Sequence, residues 1–293
     1  MPRAVTEVPT TTGTSSPMRT ICRSPFARMR LVNADHTCPV VFAQDHGLLA
    51  GTPIDERWCL SEKKATLLSL PDGSVQMPEL LLWQEGKLSI YYAPWDWVNV
   101  EARVMLVGIT GGLYQASKAV QEAQRCLRAG LPTEDVLRAA DAVGSFSGPL
   151  RTNLVNMLDG IGLADALGLS TTLQLFGSHH HLAAHAAAID YPLFVAGRNY
   201  SGGSPRLTEH PVLSALVMAC LGARVAMVPK AVVIPLGRAA EDAVRLLVRR
   251  QTLALDRCVL GFPHPSGANG WRVRQFQARK ERLREQIEQA LAQ

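Results

Sequence analysis

The sequence predicts a doubly wound α/β fold, and three observations carry that expectation. An uninterrupted apolar run at 104–107 ends in Gly108, as a strand buried on both faces of a largely parallel sheet would. A glycine-rich turn follows it, then helical periodicity over 115–129 closed by Gly130 and Pro132. The same order recurs late in the chain, with an apolar run at 231–236, then Gly237, then an amphipathic stretch at 238–249.

The remaining elements fit around these. Residues 29–92 read as a small β-rich extension, with strands at 40–43, 80–83 and 88–92, the last two flanking the turn signal Glu85-Gly86. Four aromatics, Tyr91, Tyr92, Trp95 and Trp97, surround Asp96. Helices are expected at 133–143, 150–167 and 211–221, and a strand at 193–195. A strand at 257–262 runs into Pro263-His264-Pro265-Ser266-Gly267-Ala268-Asn269-Gly270. A last helix over 271–292 places Val273, Phe276, Leu283 and Ile287 at helical spacing.

A chain of 293 residues, 47% hydrophobic, can bury one substantial core, so 29–293 is expected to form a single domain, its α/β core at 93–293. Residues 1–28 are expected to be a disordered tail: the first twenty are dominated by Thr, Ser and Pro and lack the apolar stretch of a signal peptide. No apolar run approaches the ~20 residues of a membrane span, which argues for a soluble, cytoplasmic protein. The net charge of +5 suits a polyanionic partner, and equally an ordinary basic enzyme. Six cysteines without a CxxC pair read as reduced thiols, and their spacing suits neither zinc nor an iron–sulfur cluster.

Two loops leave strands with unusual chemistry, and ligands of such folds bind beyond the carboxyl ends of strands. The first is Gly108-Ile109-Thr110-Gly111-Gly112-Leu113-Tyr114-Gln115. Its glycines allow close backbone approach to a ligand, and its helix N-terminus favours anions; a plain strand–helix turn would look the same. In the second loop, His264 is stiffened between two prolines and followed by Ser266-Gly267, which offer donors to a phosphate. A rigid imidazole there suits a reaction that develops negative charge on a leaving group, or it merely caps the loop.

Taken in order, strand–GITGG–helix followed near the C-terminus by strand–HPSG–helix resembles the uracil-DNA glycosylase superfamily. The likeness spans roughly residues 90–293 and takes in Phe146, Asn199 and the step from Val232 to Ala240. It implies a three-layer α/β/α fold around a central, mostly parallel four-stranded sheet. It also implies a monofunctional DNA glycosylase, working as a monomer without metal or cofactor, that flips a pyrimidine out of DNA and hydrolyses its glycosidic bond. Phe146 would stack on the base, and Asn199 would read its edge. His264 would stabilise the anionic base as it leaves. Gly108, Ile109, Gly111, Gly112, Tyr114 and Gln115 would line the substrate. Ser266, Gly267, Asn269, Arg272 and Arg274 would face the DNA backbone.

The chain departs from that family at its first motif. Thr110 stands where the family has an acid or amide; it can orient a water but cannot act as a general base at neutral pH. Asp96 is the acid expected to compensate, unless it serves as a helix cap. Gly111 and Gly112 replace bulkier residues, which predicts a pocket open to 5-substituted pyrimidines such as those of phage DNA, as well as to uracil. The cluster His179-His180-His181 with His185 invites a metal reading through a shared helical face, but no HExxH glutamate accompanies it. Rival functions are a non-catalytic reader of flipped bases and a small-molecule nucleotide-binding enzyme.

Overall fold

Strand β3 (Val104–Gly108) organises the molecule. It pairs in parallel with β4 (Ala183–Ala187) on one side and β7 (Val232–Pro235) on the other, so Leu106 lies between His185 and Ile234. The computed structural model describes residues 52–55 and 58–292. The expected tail at 1–28, the strand at 40–43, Cys22 and Cys38 lie outside the described residues.

Alternation along β3 divides the interior. Met105 and Val107 enter an apolar cluster with α2 (Leu113–Arg128), α3 (Thr133–Gly144), α6 (Pro211–Met227) and α7 (Arg238–Arg249). Val104 and Leu106 point the other way, to α4 (Pro149–Gly160), α5 (Leu163–Leu167), α8 (Arg272–Gln277) and α9 (Lys280–Leu291). All four side chains are fully buried, each burial stabilising by about 1.5–3 kcal/mol. Helices α2 and α7 turn small stripes inward, Ala116, Ala119, Val120, Ala123 and Ala240, Ala243, Val244, Leu247, at the spacing of one helical face. The protein is thus a mixed α/β structure with helices on both faces of a parallel sheet.

A second sheet is antiparallel, in the order β1-β2-β5-β6. It joins the hairpin β1 (Leu81–Glu85) and β2 (Leu88–Tyr91) to β5 (Leu193–Val195) and β6 (Arg198–Asn199), which come from the middle of the chain. The expected β-rich extension therefore also carries a helix, α1 (Leu60–Ser69), and its hairpin is completed by later residues.

Several expectations are corrected. The described parallel sheet has three strands, not four: at 257–262 only one bridge forms, Val233 to Cys258, with Val259 N–H on the Val233 carbonyl at 2.9 Å. Beyond it, side chains satisfy the backbone that a ladder would have used. Gln286 on α9 accepts from Leu260 N–H at 2.8 Å and donates to its carbonyl at 3.2 Å, while Glu241 accepts from Gly261 N–H at 2.9 Å. The helix expected over 150–167 breaks at Gly162, whose φ is +80°. The one over 271–292 breaks between Gln277 and Lys280. His181 and His185 share no helical face, because a short 3-10 turn, His180–Leu182, leads directly into β4.

Candidate functional site

A cavity of about 870 Å3 opens beyond the carboxyl ends of β3 and β4, where Gly108 and Ala187 finish the two strands. Both loops singled out in the sequence line it, together with Phe146 and Asn199.

In the first loop, Thr110 is committed to structure. Its hydroxyl donates to the Tyr191 carbonyl at 2.6 Å and accepts from Leu193 N–H at 3.2 Å, tying the loop to β5. Gln115 accepts from Gly112 N–H at 2.8 Å, and Asn199 accepts from Leu113 N–H at 2.9 Å, so both cap the start of α2. One lone pair of the Asn199 oxygen is therefore engaged, and its amide group remains a donor. Gly111 has a steric reason: a Cβ there would come within 2.2 Å of the Trp95 ring. The volume that a bulkier residue would fill is occupied by that indole, which itself lines the cavity. Tyr114 is 58% exposed and packs near Gly148, away from the cavity lining.

The second loop is held from several sides. Asn153 donates to the Pro265 carbonyl at 3.0 Å, Asn269 to the His264 carbonyl at 3.2 Å, and Arg272 to the Ser266 carbonyl at 2.9 Å. Ser266 N–H donates to His264 Nδ1 at 3.2 Å. That contact makes Nδ1 an acceptor, so the neutral ring carries its proton on Nε2. Burial lowers the His264 pKa and favours the neutral form. Gly237, at φ +87°, allows the close passage: a Cβ there would stand 2.7 Å from His264 Cβ. Ser266 and Asn269 line the cavity, whereas Arg272 braces the turn and Arg274 stacks over the exposed Trp271 at 5.7 Å.

Phe146 reaches the cavity from a left-handed backbone, φ +53°, a conformation costing about 1–2 kcal/mol outside glycine. Arg151 supports that corner by donating to the carbonyls of Ala142 and Ser145 at 2.9 and 2.5 Å. Strain held in place by such bracing marks positions where a side chain must point a particular way.

Sequence reasoning missed the group behind Phe146. Asp141 on α3 accepts on one carboxylate oxygen from His180 Nε2 and His185 Nδ1, both at 2.8 Å, and on the other from Ser145 Oγ at 2.6 Å. Burial pushes this carboxyl up, but the two imidazoles prevail and hold it well below the usual carboxylate range. Burial lowers the His185 pKa, against the pull of Asp141. The three residues also form the cluster of potential metal ligands among the described residues, with ligand atoms within 4.8 Å of one another. Their 2.8 Å contacts are hydrogen-bond distances. The histidine run did draw attention in the sequence, but nothing there points to an acid 44 residues before His185.

Two further acids are accounted for. Asp96 is buried, accepting from Leu60 N–H at the start of α1 at 2.6 Å and from Tyr92 Oη at 2.8 Å; Trp95, not Asp96, lines the cavity. The expected compensating acid is therefore placed as a helix cap. Asp190 lies 2.8 Å from Arg224 Nε, and Arg224 also donates to the Trp97 and His185 carbonyls at 3.1 and 3.3 Å. This buried pair fastens the end of β4 to the aromatic segment. The four described cysteines, Cys59, Cys126, Cys220 and Cys258, are free and buried. No helix among the described residues is long and apolar enough to cross a membrane.

The chain is 38% identical over 241 residues to uncharacterized protein YoxB of Bacillus subtilis (strain 168), a match covering 80% of this chain and 94% of that one. No family model matches the chain, and no solved structure does. The chain belongs to the family of the Bacillus subtilis protein.

Proposed function

We propose that this member of the YoxB family is a monofunctional DNA glycosylase that flips a pyrimidine into the cavity and hydrolyses its glycosidic bond. One observation carries the reading: a single cavity is lined by His264, Phe146 and Asn199, residues far apart in sequence. The helices on both faces of the parallel sheet support a three-layer glycosylase-like architecture, with 257–262 as the remnant of a fourth strand.

In this reading Phe146 stacks on the extruded base, and Asn199 offers its amide protons to a carbonyl of the base. The bond from C1′ to the base nitrogen breaks, and the electron pair leaves with the base. His264, neutral with its proton on Nε2, donates a hydrogen bond to the anion as it forms. Water adds to C1′ and its proton goes to solvent, leaving an abasic site. The Ser266 hydroxyl and the Gly267 amide take a phosphate of the DNA. The protein acts as a monomer in the cytoplasm, on uracil in repair or on 5-modified pyrimidines in defence against phage. Trp95 in the space beside Gly111 favours the smaller base, and the size of the cavity favours the larger.

A non-catalytic reader of flipped bases is the second reading, favoured by the commitment of the Thr110 proton to the Tyr191 carbonyl. Duplexes carrying uracil, a thymine mismatch, or hydroxymethylated or glucosylated cytosine decide between them. Strand breaks that appear only after alkali establish the glycosylase, and tight binding without abasic product establishes the reader. Neither binding nor product on any duplex defeats both.

A further inference from the structure

Two residues of the cavity lining, Trp95 and His185, carry buried ring nitrogens that the glycosylase reading leaves unused. His185 is buried to 1% side-chain exposure and lines the cavity, and its Nε2 has no hydrogen-bond partner among the described residues. Buried polar atoms are nearly always paired, and an unpaired one costs stability that an apolar side chain in the same space would not. His185 is nonetheless fixed with care. Phe176 stacks on its ring at 4.7 Å, with 7° between the planes, and Phe146 meets its edge at 5.9 Å.

Its tautomer is fixed as well. The Asp141 oxygen 2.8 Å away demands a proton on Nδ1, because a lone pair facing that carboxylate would be repelled. His180 donates to the same oxygen and Ser145 to the other, so the carboxylate is fully engaged and stays an acceptor. Trp97 stacks on His180 at 5.2 Å and holds that second donor in place. Arg151, whose guanidinium lies 4.5 Å over Phe176, adds positive charge nearby and opposes protonation of the imidazole. The ring is therefore neutral and presents a bare lone pair at Nε2.

We propose that His185 Nε2 is the specificity-determining acceptor of the cavity, taking a hydrogen bond from an N–H on the edge of a planar heterocycle lodged beside Phe146. This deepens the glycosylase reading and rests on it for the identity of the heterocycle as a pyrimidine base. Around that acceptor the cavity lining carries donors, among them the Asn199 amide, His264 Nε2 and the unpartnered Trp95 Nε1. An N–H with ring acceptors beside it fits that pairing, as N3–H of uracil between its two carbonyls or the amine of cytosine beside N3. A site built around an unpaired buried acceptor rejects a ligand lacking the donor far more strongly than a methyl-sized change in an apolar pocket does.

The test needs no catalysis. Nitrogen-15 NMR of the full chain reads the His185 tautomer directly, and the deoxynucleosides of uracil, 3-methyluracil, cytosine and N4,N4-dimethylcytosine, which lack N1–H, serve as probes. The proton is expected on Nδ1. The Nε2 resonance is expected to move with uracil or cytosine and stay still with the methylated partner, with at least roughly tenfold weaker binding of the latter. His185→Phe should erase that preference; the wild-type tautomer and titrations stand even where this variant does not fold. Donor-selective binding without abasic product from any duplex would retain this inference and defeat the glycosylase. Excision with an unchanged base preference in His185→Phe would retain the glycosylase and overturn the inference. A proton on Nε2, equal binding of methylated and unmethylated bases, or no binding of any of the four would also overturn it. So would stoichiometric zinc uptake that Asp141→Ala abolishes, since the three residues would then be ligands.

Discussion

Two neutral histidines face the same cavity with opposite polarity. His264 takes a backbone N–H on Nδ1 and therefore presents a donor, whereas His185 gives its Nδ1 proton to Asp141 and therefore presents an acceptor. Burial lowers the pKa of both, so burial does not set the difference. The partner of the hidden nitrogen does, and those partners come from different levels of structure. A local turn two residues long orients His264; a carboxylate from a helix distant in sequence orients His185. The donor depends on the chain's local sequence, the acceptor on its tertiary fold.

Removing the tertiary partner is expected to have the largest effect. Asp141→Ala leaves two imidazole N–H groups and the Ser145 hydroxyl without their acceptor, and should cost about 3–5 kcal/mol in chemical denaturation. A loss below about 1 kcal/mol would mean that the cluster organises nothing. His264→Ala should instead leave the denaturation midpoint nearly unchanged and slow single-turnover excision about 10²-fold or more. An unchanged rate removes the donor from the comparison.

Gly237→Ala tests the local turn more gently. The new Cβ would meet His264 Cβ at 2.7 Å on a backbone at φ +87°, which should cost about 1–3 kcal/mol and lower excision roughly tenfold through displacement of the imidazole. If stability falls and excision does not, His264 tolerates movement and its placement is not critical.

Acidification addresses both histidines together. Their folded pKa values lie below the ordinary 6.5, so as pH falls through 6.5 the unfolded chain gains protons that the folded chain refuses. The stability they contribute is complete above 6.5 and drains away below it. A second loss begins below 3.8, where unfolded Asp141 protonates while the folded carboxylate resists. Calorimetry from pH 8 to 5 should show a melting temperature level above pH 7 and falling below 6.5, with a shallower fall in His185→Phe and in His264→Ala. Identical slopes in all three proteins would place the titration elsewhere.

The same division explains what could be read from the sequence. Strand β3 and helix α7 were legible because their apolar patterns are long and bounded by glycine. The His264 turn was legible because the prolines and Ser266 that set its local shape are adjacent in sequence, although Asn153 and Gly237, which brace it, are not. Strand β4 was not: four of its five residues are alanine, which favours helices, and only the pairing of Ala183–Ala187 with β3 makes it extended. Asp96 stood out among aromatics, yet its partner Leu60 lies 36 residues earlier, beyond any periodic signal. Asp141 looked like an ordinary residue of α3, because nothing local announces two histidines arriving from another element.

Gln286 carries a consequence of a different kind. Past Val259 the sheet's last segment turns the Leu260 amide and carbonyl away from β7, toward the side on which a further strand would pair. The Gln286 amide, with one acceptor and one donor for Leu260, imitates the peptide group of such a strand without belonging to one. Helix α9 thereby covers Leu260 at the margin of the sheet with a side chain in place of a strand, and leaves that peptide no open position for another chain to pair with.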